Sequence, residues 1–235
     1  MTYSLYAFFG VLPSIIWLLF YLRKDTHPES NRQIIKIFFY GMLAALPAIF
    51  LEMAILGEFV KLKFSPFFIS LLNIFIAVAL VEEFLKYLVV RGKVLRNSEL
   101  DEPIDIMLYM IIAALGFAAS ENILILFSLG PSFLWGDVFS VSAFRFLGAT
   151  FLHALASGLL GFFLALSVLE TKSRGKFIFS GLLIATLLHG LYNFSIIEMK
   201  GMFSFLIPVV ILFCLAVFVT FGFRKLKKIK SVCKI

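Results

Sequence analysis

The stretch Val78-Ala-Leu-Val-Glu82-Glu83-Phe-Leu-Lys86-Tyr-Leu-Val-Val-Arg91 decides how the chain is read. It places two adjacent carboxylates and an ammonium inside a run that is otherwise apolar for a full membrane crossing. Even on the mildest scale, a charge at the centre of a bilayer costs roughly 2.5–3.5 kcal/mol. Two glutamates in succession must therefore face a polar cavity and have partners. Lys86 follows Glu83 by three residues and Glu82 by four, spacings that share one helical face. The set is either an ion pair that only fixes helix packing or a functional site, the more usual meaning of intramembrane ionisable groups.

Of the 235 residues 62% are hydrophobic and only 15% are charged, and the mean hydropathy is +1.04. No soluble domain of this size buries that apolar fraction, so the fold class is all-α, a polytopic membrane protein. Seven apolar segments can be drawn: Tyr3–Leu22, Ile34–Leu56, Pro66–Val90, Ile104–Leu129, Val138–Leu169, Phe177–Ile197 and Met202–Phe223. Each can span the ~30 Å hydrocarbon core at about 1.5 Å per residue. The first lacks a basic leader and a small-residue cleavage site, and reads as a retained helix. A single transmembrane helical domain is expected over residues 1–235, with residues 224–235 as a basic tail. No linker or internal repeat interrupts it.

The net charge of +7 does not imply nucleic acid, because six of the 21 basic residues lie in the last twelve positions and most others in short loops. Arg23, Lys24 and Arg32, then Arg91, Lys93 and Arg96, then Lys172, Arg174 and Lys176 mark the odd loops. Only Lys61, Lys63 and Lys200 stand opposite. The positive-inside rule then predicts an external amino terminus and a cytosolic carboxyl terminus in a multi-pass cell-membrane protein, with the lipid bilayer as its first partner. Cys214 and Cys233 form neither a disulfide framework nor a metal knuckle.

Further polar groups lie inside the apolar runs. The fourth segment carries Gly116-Phe-Ala-Ala-Ser-Glu121-Asn122, where small residues let backbones approach closely, so Glu121 is expected to point into the bundle. The fifth carries Arg145, which reads as an interfacial or carboxylate-pairing residue, and His153. The sixth carries His189-Gly-Leu-Tyr-Asn193, with imidazole and amide stacked one turn apart. Counted from the nearest basic residues, Glu82 lies ~14 Å and His189 ~20 Å along its helix, and His153 and Glu121 ~25 Å. Tilts can close such gaps, so one shared cavity is permitted.

Amide hydrolysis needs an activated water and a donor for the oxyanion. A carboxylate taken out of water holds a proton more readily, which suits it to base and acid work. Histidine and asparagine on one helix can supply oxyanion donors. Alternatively, His153, His189 and a carboxylate such as Glu121 could hold Zn²⁺ with an open position while a second glutamate serves as base. No His-Glu-x-x-His is present, Asp105 and Asp137 sit at segment edges, and Ser157, four residues after His153, lies among packing residues. The competing class is a proton- or cation-coupled transporter using the same groups, though neither broken helices nor inverted repeats are evident.

These residues resemble the PrsW family of membrane-embedded proteases, similar in turn to type II CAAX prenyl endopeptidases and the Abi bacteriocin-processing group. The resemblance rests on Glu82-Glu83-x-x-Lys86, on Gly116-Phe117-Ala118-x-x-Glu121-Asn122, on His153 with Gly158, and on His189-x-x-x-Asn193. Asp25-x-x-Pro28-Glu29 and Pro47-Ala-Ile-Phe-Leu-Glu52 also fit. It spans about residues 20 to 200 and implies proteolysis of a single-pass membrane substrate, as in the first cut of an anti-sigma factor. By the same resemblance Glu82 or Glu83 activates water, and His189 and Asn193 hold the oxyanion. Glu121 stands where the prenyl endopeptidases carry histidine, and His153 could replace that imidazole in space.

Overall fold

A computed structural model of the chain describes residues 3–24, 29–95, 102–130 and 135–229; Asp25, Pro28, Arg96, Lys230, Cys233 and Lys234 lie outside them. The described residues form helices joined by short turns, with no strand among them. Seven helical segments are long and apolar enough to cross a membrane. In chain order they are α1 (Tyr3–Leu22), α2 (Asn31–Lys61), the composite α3–α4 (Pro66–Leu72 and Val81–Lys93), α5 (Pro103–Leu129), the broken pair α6 (Trp135–Leu147) and α7 (Ala149–Leu169), α8 (Arg174–Ile197) and α9 (Phe203–Leu226).

α5 is the axle. Ile106 through Ala119 are all but fully buried, because this helix is apolar on every side and wrapped by α1, α2 and α7. α8 and α9 pack on α7, and the composite helix closes the ring between α2 and α8. In lipid no hydrophobic force drives helices together, so close packing must. At the α2–α5 crossing a Cβ on Gly116 would lie 2.0 Å from the carbonyl oxygen of Phe38, and one on Gly41 2.1 Å from that of Ala113. Only glycine permits that approach.

Local chemistry sets the helix ends. Pro66 and Pro103 occupy first turns, where a missing N–H costs nothing. Asp105 accepts a hydrogen bond from the Glu102 backbone N–H at 2.8 Å, which makes it a cap. Glu29 accepts from the Tyr109 hydroxyl at 2.5 Å and so ties the start of α2 to α5.

Two irregularities were not expected. Between α3 and α4, residues Asn73–Leu80 wind as a π-helix that ends two residues before Glu82. The fifth apolar segment is not continuous but breaks at Gly148 (φ −105°, ψ −96°). A break inside the membrane frees carbonyls that lipid cannot satisfy. Here the Trp17 indole N–H donates to Phe146 O at 2.8 Å, and the same ring stacks on Phe151 with centroids 4.1 Å apart.

Candidate active site

The polar residues singled out above sit on five helices: Glu82, Glu83 and Lys86 on α4, Glu121 and Asn122 on α5, Arg145 on α6, His153 on α7, and His189 and Asn193 on α8. All but Asn193 join one continuous network. Lys86 Nζ donates to Glu83 Oε1 at 2.8 Å and to Glu82 Oε2 at 3.2 Å, and lies 2.8 Å from His153 Nδ1. Beneath it the Phe117 ring sits 4.5 Å away. His153 Nε2 lies 2.8 Å from Glu121 Oε2, which also accepts from Arg145 Nη2 at 2.9 Å. On the other flank His189 Nδ1 lies 3.0 Å from Glu83 Oε1.

These contacts fix both imidazole tautomers. An ammonium only donates, so His153 Nδ1 accepts from Lys86 and Nε2 carries the proton given to Glu121. A carboxylate accepts, so His189 donates from Nδ1 to Glu83 and keeps its lone pair on Nε2. Both nitrogens lie near Glu82 Oε2, His153 Nδ1 at 3.7 Å and His189 Nε2 at 3.9 Å, while the His153 lone pair is engaged by Lys86. The two rings meet edge to face, with centroids 5.0 Å apart.

The two adjacent glutamates are held differently. Glu83 is fully buried and bonded to Lys86, His189 and the Ser157 hydroxyl, which donates to Oε2 at 2.7 Å. Ser157 therefore fixes a carboxylate rather than forming a dyad with His153. Glu82 instead reaches the wall of a cavity of about 260 Å³, together with Glu52, Glu121 and Phe117. The cavity opens between α2 and α5, where Ala45 and Ala48 leave room. Glu52 is the site residue that sequence reasoning left out: it entered only through resemblance, although a carboxylate in an apolar run was itself the signal.

Arg145 takes the carboxylate-pairing position expected of it, made possible by the break at Gly148, which ends α6 over Glu121. Its Nε also donates to Asn122 Oδ1. The Asn122 amide donates to Gly10 O at 3.2 Å and to Thr150 Oγ1 at 3.0 Å, so this side chain staples α1, α5, α6 and α7. Asn193 is partly buried one turn beyond His189 and makes no side-chain hydrogen bond among the described residues.

Glu82, His153 and His189 each offer an atom within 4.8 Å of the others, and all three are buried. The sequence groups Glu121 with the histidines; in the fold Glu121 lies against His153 Nε2, and Glu82 Oε2 lies within 4 Å of both His153 Nδ1 and His189 Nε2. Two imidazoles and one carboxylate are a zinc donor set, and each imidazole gives its other nitrogen to a carboxylate, as metal-binding histidines do. Glu82, Glu83 and Glu121 outnumber Lys86 and Arg145 by one charge, which also favours a further cation. The residues fit a metal ion once the Lys86 ammonium, which bonds both His153 Nδ1 and Glu82 Oε2, swings aside.

No solved structure matches the chain significantly. Protein sequences do. The profile of the PrsW family intramembrane metalloproteases matches residues 29–221. "Protease PrsW" of Oceanobacillus iheyensis is 33% identical over 197 residues, 83% of each chain. That of Geobacillus kaustophilus is 30% identical over 189 residues, 80% of this chain and 78% of its own. That of Bacillus subtilis is 28% identical over 225 residues, 95% of this chain and 94% of its own. With the profile spanning most of the chain and these relatives matched over most of their length, this multi-pass bacterial membrane protein is a peptidase and belongs to the PrsW family of intramembrane metalloproteases.

Proposed function

We propose that the protein hydrolyses a peptide bond of a single-pass membrane protein at the cavity between α2 and α5, the resemblance pointing to an anti-sigma factor as substrate. The observation that carries this reading is the meeting of Glu82, Glu121, His153 and His189, from four helices, within the membrane-spanning part of the fold. The transporter alternative gains nothing from the family or its relatives, all of them proteases.

Glu82, His153 and His189 would hold the metal ion, which when bound supplies Lewis acidity to the scissile carbonyl and a more acidic water. Glu121 then takes the proton that the attacking water loses and returns it to the leaving nitrogen. Its Oε2 is held by His153 and Arg145, and its other oxygen makes no hydrogen bond among the described residues. Asn193 donates its amide N–H to the carbonyl oxygen as charge builds there. Glu83 and Ser157 keep His189 turned inward.

A second reading is favoured by Lys86, whose ammonium already bridges Glu82, Glu83 and His153. There Lys86 is the resident cation, Glu82 is the base, and Asn193 donates to the oxyanion together with His189 in its imidazolium form, whose Nε2 then also carries a proton. Reconstitution with a single-pass substrate tests both. E82Q, E121Q, H153A and H189A should each abolish cleavage in folded protein, and undiminished cleavage in all four would overturn the proposal. Loss of activity on chelation, restored by zinc, selects the first reading.

A further inference from the structure

α1 and α9 flank a cleft of about 370 Å³ that shares no lining residue with the glutamates' cavity. Its floor is aromatic, made by Trp17, Tyr21 and Phe151, with Tyr21 and Phe223 stacked at 6.1 Å. Its rim carries Lys24, Arg224 and Lys227, all exposed. Lys24 Nζ is drawn back over the Phe20 ring, 4.5 Å from the centroid. None of the three cations has a carboxylate partner among the described residues, and no acidic residue lines the cleft. A second groove of about 440 Å³, lined by α9 residues alone, shares Ala216, Thr220 and Arg224 with the first. The Thr220 hydroxyl is spent on Ala216 O at 2.8 Å, so below Arg224 the shared wall is apolar.

We infer that this is a binding site for an anionic phospholipid, with the phosphate among Lys24, Arg224 and Lys227 and the acyl chains in the grooves on either side of Ala216 and Thr220. Three features argue for that occupant. The apolar floor runs along two spanning helices, so it faces lipid tails. The cations stand together where helices leave the hydrocarbon, the depth of a headgroup. Their charge also outweighs the negative carbonyl end of α9, which by itself repels anions. The chain's own carboxyl-terminal segment is excluded, since Lys230 and Lys234 give it the same sign as the rim. Each basic residue near an anionic surface is worth about a fivefold change in affinity.

Native mass spectrometry of the full chain, released from detergent and titrated with phosphatidylglycerol or phosphatidylcholine, tests the assignment. The first phosphatidylglycerol should bind tighter than phosphatidylcholine by on the order of a hundredfold, three charges at about fivefold each. K24Q/R224Q/K227Q should lose that preference, and K172Q/R174Q/K176Q, which alters a different basic loop, should keep it. Should the first triple variant fold poorly, K227Q alone should cost about fivefold. Equal binding of the two lipids, or a preference kept by the cleft variants, overturns the site. So does glycerol phosphate binding as tightly as the whole lipid, because the grooves would then contribute nothing.

Discussion

Glu83 Oε1 accepts the Nδ1–H of His189 at 3.0 Å, and this bond separates the roles of two glutamates adjacent in sequence. With Lys86 and Ser157 also bonded to it, Glu83 has no reach toward the cavity, and its work is orientation. E82Q should therefore lower kcat by about 10²–10⁴-fold, the range for removing a group that handles the proton or the reacting centre. E83Q, which can still meet Ser157 and His189, should lower it by about 10–100-fold, as loss of a ligand-orienting partner does. Cleavage assays in proteoliposomes compare the two; equal losses would mean that both carboxylates touch the reaction.

Lys86 is the buried cation of the site, and replacing it leaves Glu82 and Glu83 facing each other without compensation. Breaking a buried pair by removing one partner costs about 3–5 kcal/mol. K86M should unfold at a clearly lower temperature than the parent. Because Glu82, His153 and His189 face the space that the ammonium serves, added zinc should restore much of that stability. The same zinc should do nothing for E82Q/K86M. Thermal unfolding in detergent, with and without zinc, reads both effects, and failure of zinc to raise the K86M transition would favour the metal-free reading.

Much of this site was legible because burying charge in lipid is expensive: Glu82, Glu83, Lys86, Glu121, Arg145, His153 and His189 all stand in apolar runs and all join the network, whereas the neutral Asn193 does not. The seven spans followed from length and hydropathy alone. What stayed hidden is backbone geometry. In an ordinary helix each residue turns about 100°, so the π-helical stretch Asn73–Leu80 resets the face on which Glu82 and Glu83 emerge. Nothing in its apolar composition announces that. The break at Gly148 was hidden likewise, since one glycine in a long apolar segment also serves close packing. Without those two features, periodicity could not tell that Glu82, rather than Glu121, comes within 4 Å of both histidine rings.

The α2–α5 crossing that frames the cavity can be tested independently of chemistry. In G116A the new methyl would lie 2.0 Å from Phe38 O, so the helices must separate. Overpacking of this kind costs about 1–3 kcal/mol. G57A provides the control, because a Cβ there meets nothing within 4 Å and alanine is the better helix former. G116A should melt earlier and cleave more slowly, whereas G57A should match the parent or exceed it slightly. Equal melting temperatures would mean that the two helices do not approach this closely.

Topology is the remaining expectation that an experiment can decide. Lys24 and Arg224 line one cleft, so the first loop and the end of α9 lie on the same side of the membrane. That side also gathers most of the basic residues, and loops so charged stay in the cytosol. Lys200 lies beyond the opposite end of α8 and belongs to the sparsely charged face. With C214A removing the thiol within α9, Cys233 is the only cysteine left. A membrane-impermeant maleimide should label it in inverted vesicles and not in intact cells. K200C in a C214A/C233A background should show the reverse. If the labelling pattern came out exchanged, the positive-inside count would have failed for this chain and the phospholipid cleft would face the outer leaflet.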